Sequence, residues 1–351
     1  MNENKLVQWM FFVAMALVQT MTGAELVDDR NLSVHSRSDV ARTRGQLIRF
    51  VWGTKRLPDT LPGQITRGVP SPLADLEDVE RVDALHITME CGQQTVTYHF
   101  IPRQKNRRLV IVHQGHVCDL DSYGVGGLIR DLLRNGYSVL GAYMPQCRPG
   151  DCTGNCTAQH AAMFSSLKPS AGSPMRFFLE PVVVSLNYLE SRHRADDFPR
   201  YAEFHMAGLS GGGWTTTVYS AIDPRIKFSF SVAGTMPLYL RSSGSVGDIE
   251  QTLPGFYRIA GYPDLYLMGS YGRGRQQIQI LNRRDDCCFG AAQHSGPVSY
   301  DDALRTYERQ VSDKVKQLGA GAFRLEIDET APSHLISTNA SLNAILAQLN
   351  R

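Results

Sequence analysis

From residue 82 onward, short apolar runs alternate with amphipathic stretches, and this alternation limits the fold more than any other feature of the chain. Residues 82–91 and 95–101 alternate apolar and polar side chains around Gly92, the pattern of a β-hairpin. Leu109-Val110-Ile111-Val112 is a buried-strand run, followed by an amphipathic stretch over 122–134. Strands are then predicted at 137–142, 204–208, 228–232, 278–281 and 323–327, and helices at 177–189, 211–221, 300–318 and 335–349. A hairpin feeding repeated strand–helix units implies an α/β fold with a mostly parallel central sheet and helices on both faces. With 351 residues, 42% of them apolar and 20% charged, the chain can bury a full core and lies far from the disordered regime. Its 36 basic and 34 acidic residues leave a net charge of +2, which gives no electrostatic footprint for nucleic acid or an anionic membrane.

Three segments stand outside this pattern. Lys5, the apolar run Trp9 to Val18 and the small residues Thr22-Gly23-Ala24 read as a secretory signal peptide over 1–24, too short to span a bilayer. Residues 25–80 are polar and punctuated by Pro58, Pro62, Pro70 and Pro72, which predicts an irregular arm ahead of a catalytic domain over 81–351. Long connections at about 144–174 and 234–275 both leave strand C-termini, where open α/β sheets bind ligands, and the second is expected to roof a pocket. It carries Asp248, Glu250 and an aromatic group (Tyr239, Phe256, Tyr257, Tyr262, Tyr266, Tyr271) able to contact a sugar or aryl group.

Seven cysteines in an exported chain imply disulfides. Cys147, Cys152 and Cys156 crowd one loop, with Cys118 and the Cys287-Cys288 step as candidate partners; the odd count leaves at least one thiol. No partner CxxC or HxxxH accompanies them, and His113, His116 and Asp121 lack a usual ligand spacing, so no metal is expected.

The chemistry concentrates in Gly208-Leu209-Ser210-Gly211-Gly212, between a predicted strand and a predicted helix. A serine on so sharp a turn needs neighbours without bulk, and the helix N-terminus behind it presents unpaired N–H groups. A serine also needs a base, and the base an orienting acid. Asp285 follows the strand at 278–281, with Asp286 as the alternative acid, and His334 follows the last strand at the opening of the last helix. The strand at 109–112 runs into His113-Gln114-Gly115-His116, so an oxyanion hole is expected from the N–H groups of Gly211 and His116, with Gln114 as the alternative donor. Trp214, Glu250 and Tyr239 are candidate substrate contacts, although Trp214 also reads as core.

Over residues 82–350 these features, in the order Ser210, Asp285, His334, resemble the α/β-hydrolase superfamily. Within it the chain is similar in flavour to exported bacterial esterases of the dienelactone hydrolase and acetylxylan esterase type. It departs from the usual pattern in carrying Gln114-Gly115-His116 where His-Gly-x is commoner, and in Asp285-Asp286-Cys287-Cys288 at the acid loop. The resemblance implies hydrolysis of small-molecule or polymer esters through an acyl-enzyme, without a cofactor. Two other readings use the same residues. One is an exported serine peptidase or amidase, for which the loop arginines Arg241, Arg273, Arg275, Arg283 and Arg284 offer anchors for a peptide terminus. The other is a non-catalytic binding protein on a hydrolase fold.

Overall fold

The computed structural model describes residues 26–147, 156–191, 200–242 and 246–351. The apolar segment at 1–24 and Cys152 lie outside the described residues. Nine strands form one sheet: β1 (Gln64–Arg67), β2 (Val79–Thr88), β3 (Gln94–Pro102), β4 (Arg108–His113), β5 (Ser138–Ala142), β6 (Glu203–Leu209), β7 (Ile226–Val232), β8 (Gln276–Asn282) and β9 (Ala322–Asp328). Their order across the sheet is β1-β2-β3-β5-β4-β6-β7-β8-β9. The first three strands and the β3–β5 pair are antiparallel, and every pair from β5 to β9 is parallel. The expected hairpin and all the expected strands are present.

The strand order explains where a site can form. From β4 the chain steps one way to β5, then crosses back to β6 on the other side of β4 and continues outward to β9. Right-handed crossovers in opposite directions put their helices on opposite faces, and a crevice opens between the C-terminal ends of β4 and β6. His113 of β4 pairs with Gly208 of β6, so the loops that follow these strands start side by side. β4 anchors this edge from within: Leu109, Val110, Ile111 and Val112 are fully buried, each worth about 1.5–3 kcal/mol of apolar transfer.

The predicted helices form with small shifts of boundary, among them Val125–Arg134, Arg176–Ser191, Gly211–Ile222 and Tyr300–Leu318. Three expectations change. Residues 25–80 are not irregular throughout, because Arg37–Trp52 is a helix. Ser36 and Asp39 cap it reciprocally, Gly53 ends it at φ 72°, and the prolines that suggested an arm all follow that stop. The last helix does not begin at 335. Helical backbone starts at 338, where the Ser337 hydroxyl accepts the N–H of Ala340 at 2.9 Å, so His334 sits in a loop instead of opening the helix.

The 234–275 insertion is the third change. It contains short helices at Ile249–Thr252 and Pro254–Tyr257 and a longer one at Tyr262–Ser270. Phe256, Tyr257, Tyr262 and Tyr266 are buried in the core and do not form an exposed aromatic platform. The N-terminal segment holds the insertion in place. Buried Asp29 accepts the N–H groups of Leu238, Tyr239 and Tyr262, and Asp264 accepts those of Ser33 and Val34. The connection after β5 carries the helix Thr157–Ser166 and a Cys147–Cys156 disulfide, so that bond forms within the crowded loop. Cys118 is also disulfide-bonded, whereas Cys287 and Cys288 keep their thiols.

Candidate active site

Ser210 is the turn between β6 and the helix Gly211–Ile222. Its backbone stands at φ 57° and ψ −125°, a conformation that costs a side-chain-bearing residue of order 1–3 kcal/mol. The surrounding bonds impose it: Ser210 N–H donates to the Val232 carbonyl at 2.9 Å, and the Ser210 carbonyl accepts from Trp214 at 2.9 Å. The turn closes only because its flanks are bare. A Cβ on Gly208 would meet the Gly212 carbonyl oxygen at 2.3 Å, and one on Gly212 would meet that of His113 at 2.1 Å.

His334 and Asp285 come together from the loops after β9 and β8. The Nδ1 of His334 donates to Oδ2 of Asp285 at 2.7 Å. The other carboxylate oxygen of Asp285 accepts the N–H groups of Cys287 and Cys288 at 2.8 and 3.0 Å, so the acid is held at both ends. Asp285 is buried and Asp286 is exposed, and the first of the two candidate acids is the one that meets the imidazole. Burial opposes a charge on His334, but the bond to Asp285 and its negative charge outweigh this and raise the imidazole above its ordinary value. Its Nε2 is buried and, among the described residues, carries no hydrogen bond, from Ser210 or any other group.

The His334 loop lies across the sheet edge. On one side Asn282, at the end of β8, donates to the carbonyls of Ser333 and Leu335 at 3.1 and 2.7 Å, the residues flanking His334. On the other, Ile336 N–H donates to Tyr123 in the loop after β4 at 2.9 Å. β6 and β7 lie between β4 and β8, so these two anchors bracket the Ser210 turn.

The loop after β4 distinguishes the two candidate oxyanion donors. The Gln114 N–H is spent on the Ala142 carbonyl at 2.9 Å and that of Gly115 on the Gln114 side chain at 2.8 Å. Gln114 is therefore unavailable as a backbone donor. Among the described residues, the N–H groups of His116 and Gly211 have no acceptor; Gly211 is the first residue of its helix, where no intrahelical partner exists. His113 is fully buried with Nδ1 donating to the Gln114 carbonyl at 2.8 Å, and burial pushes it down to about 4, so it is a neutral structural imidazole.

Comparison with solved structures matches this architecture to two esterases. A glucuronoyl esterase from Teredinibacter turnerae superposes with a TM-score of 0.58 at 12% identity, over 94% of this chain and 94% of that one. A methylesterase superposes with a TM-score of 0.55 at 13% identity, over 96% of this chain and 67% of that one. The fold is that of the α/β-hydrolases. No family model matches the sequence, and no curated protein matches it.

In this hydrolase fold the insertion reaches the site through acids and not through aromatic rings. His116 Nε2 lies 3.1 Å from Glu250 Oε1 and 3.2 Å from Asp248 Oδ2, and His160 Nδ1 lies 3.4 Å from the same Glu250 oxygen. Burial disfavours charge on His116, yet Asp248 and Glu250 push it up to about 9; burial likewise opposes charge on Glu250, which His160 and His116 hold at about 2. The adjoining Cε1–Nδ1 edge of the His116 ring abuts Gly211, where a Cβ would lie 2.6 Å from Cε1 and 2.9 Å from Nδ1. Glu250 is fully buried on these imidazoles and presents no face to a substrate. Trp214 is fully buried with its Nε1 donating to Tyr257 at 2.7 Å, which makes it core. Tyr239 is half-buried, with the Arg30 guanidinium 5.7 Å from its ring centre. Of these residues His160 went unnoticed in the sequence, because it lies at no ligand-like spacing from His116, and Asp248 drew notice only as a pocket-roof acid.

Proposed function

We propose that this chain is a carboxylic-ester hydrolase acting through an acyl-enzyme on Ser210, with His334 as base and Asp285 as its orienting acid. The observation that carries the reading is the Asp285–His334 pair, held at 2.7 Å with the histidine's Nε2 left without a partner and its loop pinned on both sides of the Ser210 turn. In the reaction Nε2 takes the Ser210 proton as Oγ attacks the ester carbonyl. The N–H groups of Gly211 and His116 receive the developing oxyanion, each worth about 10²–10³ in rate. His334 then protonates the leaving alcohol, and water repeats the sequence on the acyl group.

Esters are preferred over peptides because the loop arginines that would anchor a peptide terminus are largely engaged. Arg275 is buried on the carbonyls of Ile226, Met268, Tyr271 and Ser220, Arg283 is paired with Glu329 and Asp301, and Arg241 donates to Met236 and Val246. Export belongs to the same proposal, supported by the N-terminal sequence pattern and the Cys147–Cys156 disulfide. No described helix is long and apolar enough to cross a membrane.

A panel of p-nitrophenyl esters and peptidyl anilides, run with the wild type and Ser210→Ala, tests the assignment. Ester turnover abolished in the variant is the expected result. Anilide turnover alone moves the assignment to a peptidase, and turnover of neither substrate class by the wild type overturns it.

A further inference from the structure

The cluster formed by His116, His160, Asp248 and Glu250 is not used by the serine chemistry, and its geometry calls for a cation. His160 is fully buried in the helix Thr157–Ser166, and its Nε2 lies 3.0 Å from the Pro145 carbonyl, which can only accept. A ring proton therefore sits on Nε2, and Nδ1 is the nitrogen turned toward Glu250. Among the described residues that Nδ1 has no hydrogen-bond partner although it faces the Glu250 carboxylate at 3.4 Å, and Oε2 of the fully buried Glu250 is unpartnered as well. A buried carboxylate facing two imidazole nitrogens needs positive charge between them, supplied by a bound ion or by ring protons.

The spacing suits a metal. The three donor atoms of His116, His160 and Glu250 lie within 4.8 Å of one another, with Glu250 Oε1 3.1 Å from His116 Nε2 and 3.4 Å from His160 Nδ1; Asp248 stands outside that group, 3.2 Å from His116. A tetrahedral ion with ligands at about 2.0–2.1 Å places them about 3.3–3.4 Å apart. A metal-bound imidazole usually donates its other N–H to a carbonyl or carboxylate, as His160 does to Pro145. Glu250 in the group and Asp248 beside His116 supply two negative charges against a dication. Two imidazoles with one carboxylate favour zinc over calcium or magnesium, which prefer all-oxygen sets, and the absence of sulfur from the cluster disfavours copper(I).

We infer that His116 Nε2, His160 Nδ1 and a Glu250 carboxylate oxygen form a three-ligand zinc-type site, with Asp248 beside His116, that clamps the insertion and the helix Thr157–Ser166 onto the loop after β4. The binding site stands apart from the ester-hydrolase reading; its consequence rests on it, since the ion would fix the residue whose N–H is assigned to the oxyanion hole. The ion touches no reacting atom in this arrangement, so it is a positioning device. It holds His116 in place while its ring edge bears on Gly211.

Metal content and cobalt spectroscopy on the full chain test the site without reference to activity. Protein produced with zinc in the medium is expected to retain about one zinc per chain by mass spectrometry. After chelation, Co²⁺ is expected to give the intense visible bands of a tetrahedral N/O site without a thiolate charge-transfer band in the near ultraviolet. His160→Ala and Glu250→Gln should each lose metal and spectrum, and Cys287→Ser/Cys288→Ser should keep both. The double variant matters because Asp285, Cys287, Cys288 and His334 form a second group of potential ligands. No retained zinc and no cobalt spectrum in the wild type overturns the inference, leaving protons to hold the cluster together. A thiolate band, or a metal lost only from the cysteine variant, overturns it in favour of the acid loop. The wild-type spectrum decides the matter even if the histidine variant does not fold. Ester turnover is read separately through Ser210→Ala, so failure of one proposal is distinguishable from failure of the other.

Discussion

Gly115 stands directly against Ser210: a Cβ on the glycine would lie 2.8 Å from the serine Cβ and 3.4 Å from its Oγ. The loop after β4 and the turn after β6 thus meet without room for a methyl group, at the crevice where the strand order reverses. Gly115→Ala is expected to push Ser210 off its attack geometry and lower kcat/KM for p-nitrophenyl acetate by about 10–100-fold, because displacements of an ångström at a reacting centre cost on this scale. Steady-state kinetics beside a thermal melt check it. Unchanged kinetics would show that the loop yields and the contact is incidental.

Asp285 fixes which nitrogen of His334 carries the proton. Asp285→Asn is expected to stabilise the wrong tautomer and reduce kcat by on the order of 10³–10⁴, with the fold intact. Asp286→Asn should stay within about twofold, since that side chain is exposed and does not meet the imidazole. Comparable losses in the two variants would reopen the choice of acid.

The raised proton affinity of His334 has a direction that a pH profile can read. A general base must be neutral, so activity is lost as pH falls through the folded-state value, which here lies above the ordinary imidazole value of about 6.5. The acid limb of kcat/KM is therefore expected above that point, and in Asp285→Asn it should move to lower pH. The stability linkage has the complementary sign. The pair contributes fully below the unfolded imidazole value and loses that contribution as pH rises through the higher folded one. An acid limb well below pH 6 would contradict the pairing.

Ser337 closes the loop that carries His334. Its hydroxyl caps the last helix at Ala340 and is bonded to Asp328 at the end of β9. Ser337→Ala is expected to cost about 1 kcal/mol of stability, the usual worth of a helix N-cap. Urea denaturation measures it, and an unshifted midpoint would assign the helix start elsewhere.

The Cys147–Cys156 bond spans nine positions. Replacing both residues with serine is expected to destabilise the protein by about 2–3 kcal/mol, from the loop entropy restored to the unfolded chain. A chemical denaturation curve on the double variant is the measurement, and an unchanged curve would mean that the remaining structure already constrains the loop.

Much of this architecture was legible in the residue order because the signals are local. The period-two hairpin, the apolar run of β4 and the Gly208-x-Ser210-x-Gly212 turn each depend on neighbours within a few positions. Local signals also misled where a stronger local signal competed. The prolines after Gly53 masked the capped helix before it, and the apolar pattern at 335–349 concealed the stop imposed by Ser337.

What the chain determines alone, then, is the fold class and the placement of Ser210, Asp285 and His334 after β6, β8 and β9, since strand direction and chain order put their loops at one edge. The tertiary structure alone decided which acid meets His334, which N–H groups after β4 remain unspent, and that Asp248 and Glu250 face His116, and Glu250 also His160, across 90 or more residues of sequence. Those contacts are made between loops. No periodicity governs which loop residues meet; that is set by how crossovers stack on the sheet, and it becomes visible only when the whole chain is folded.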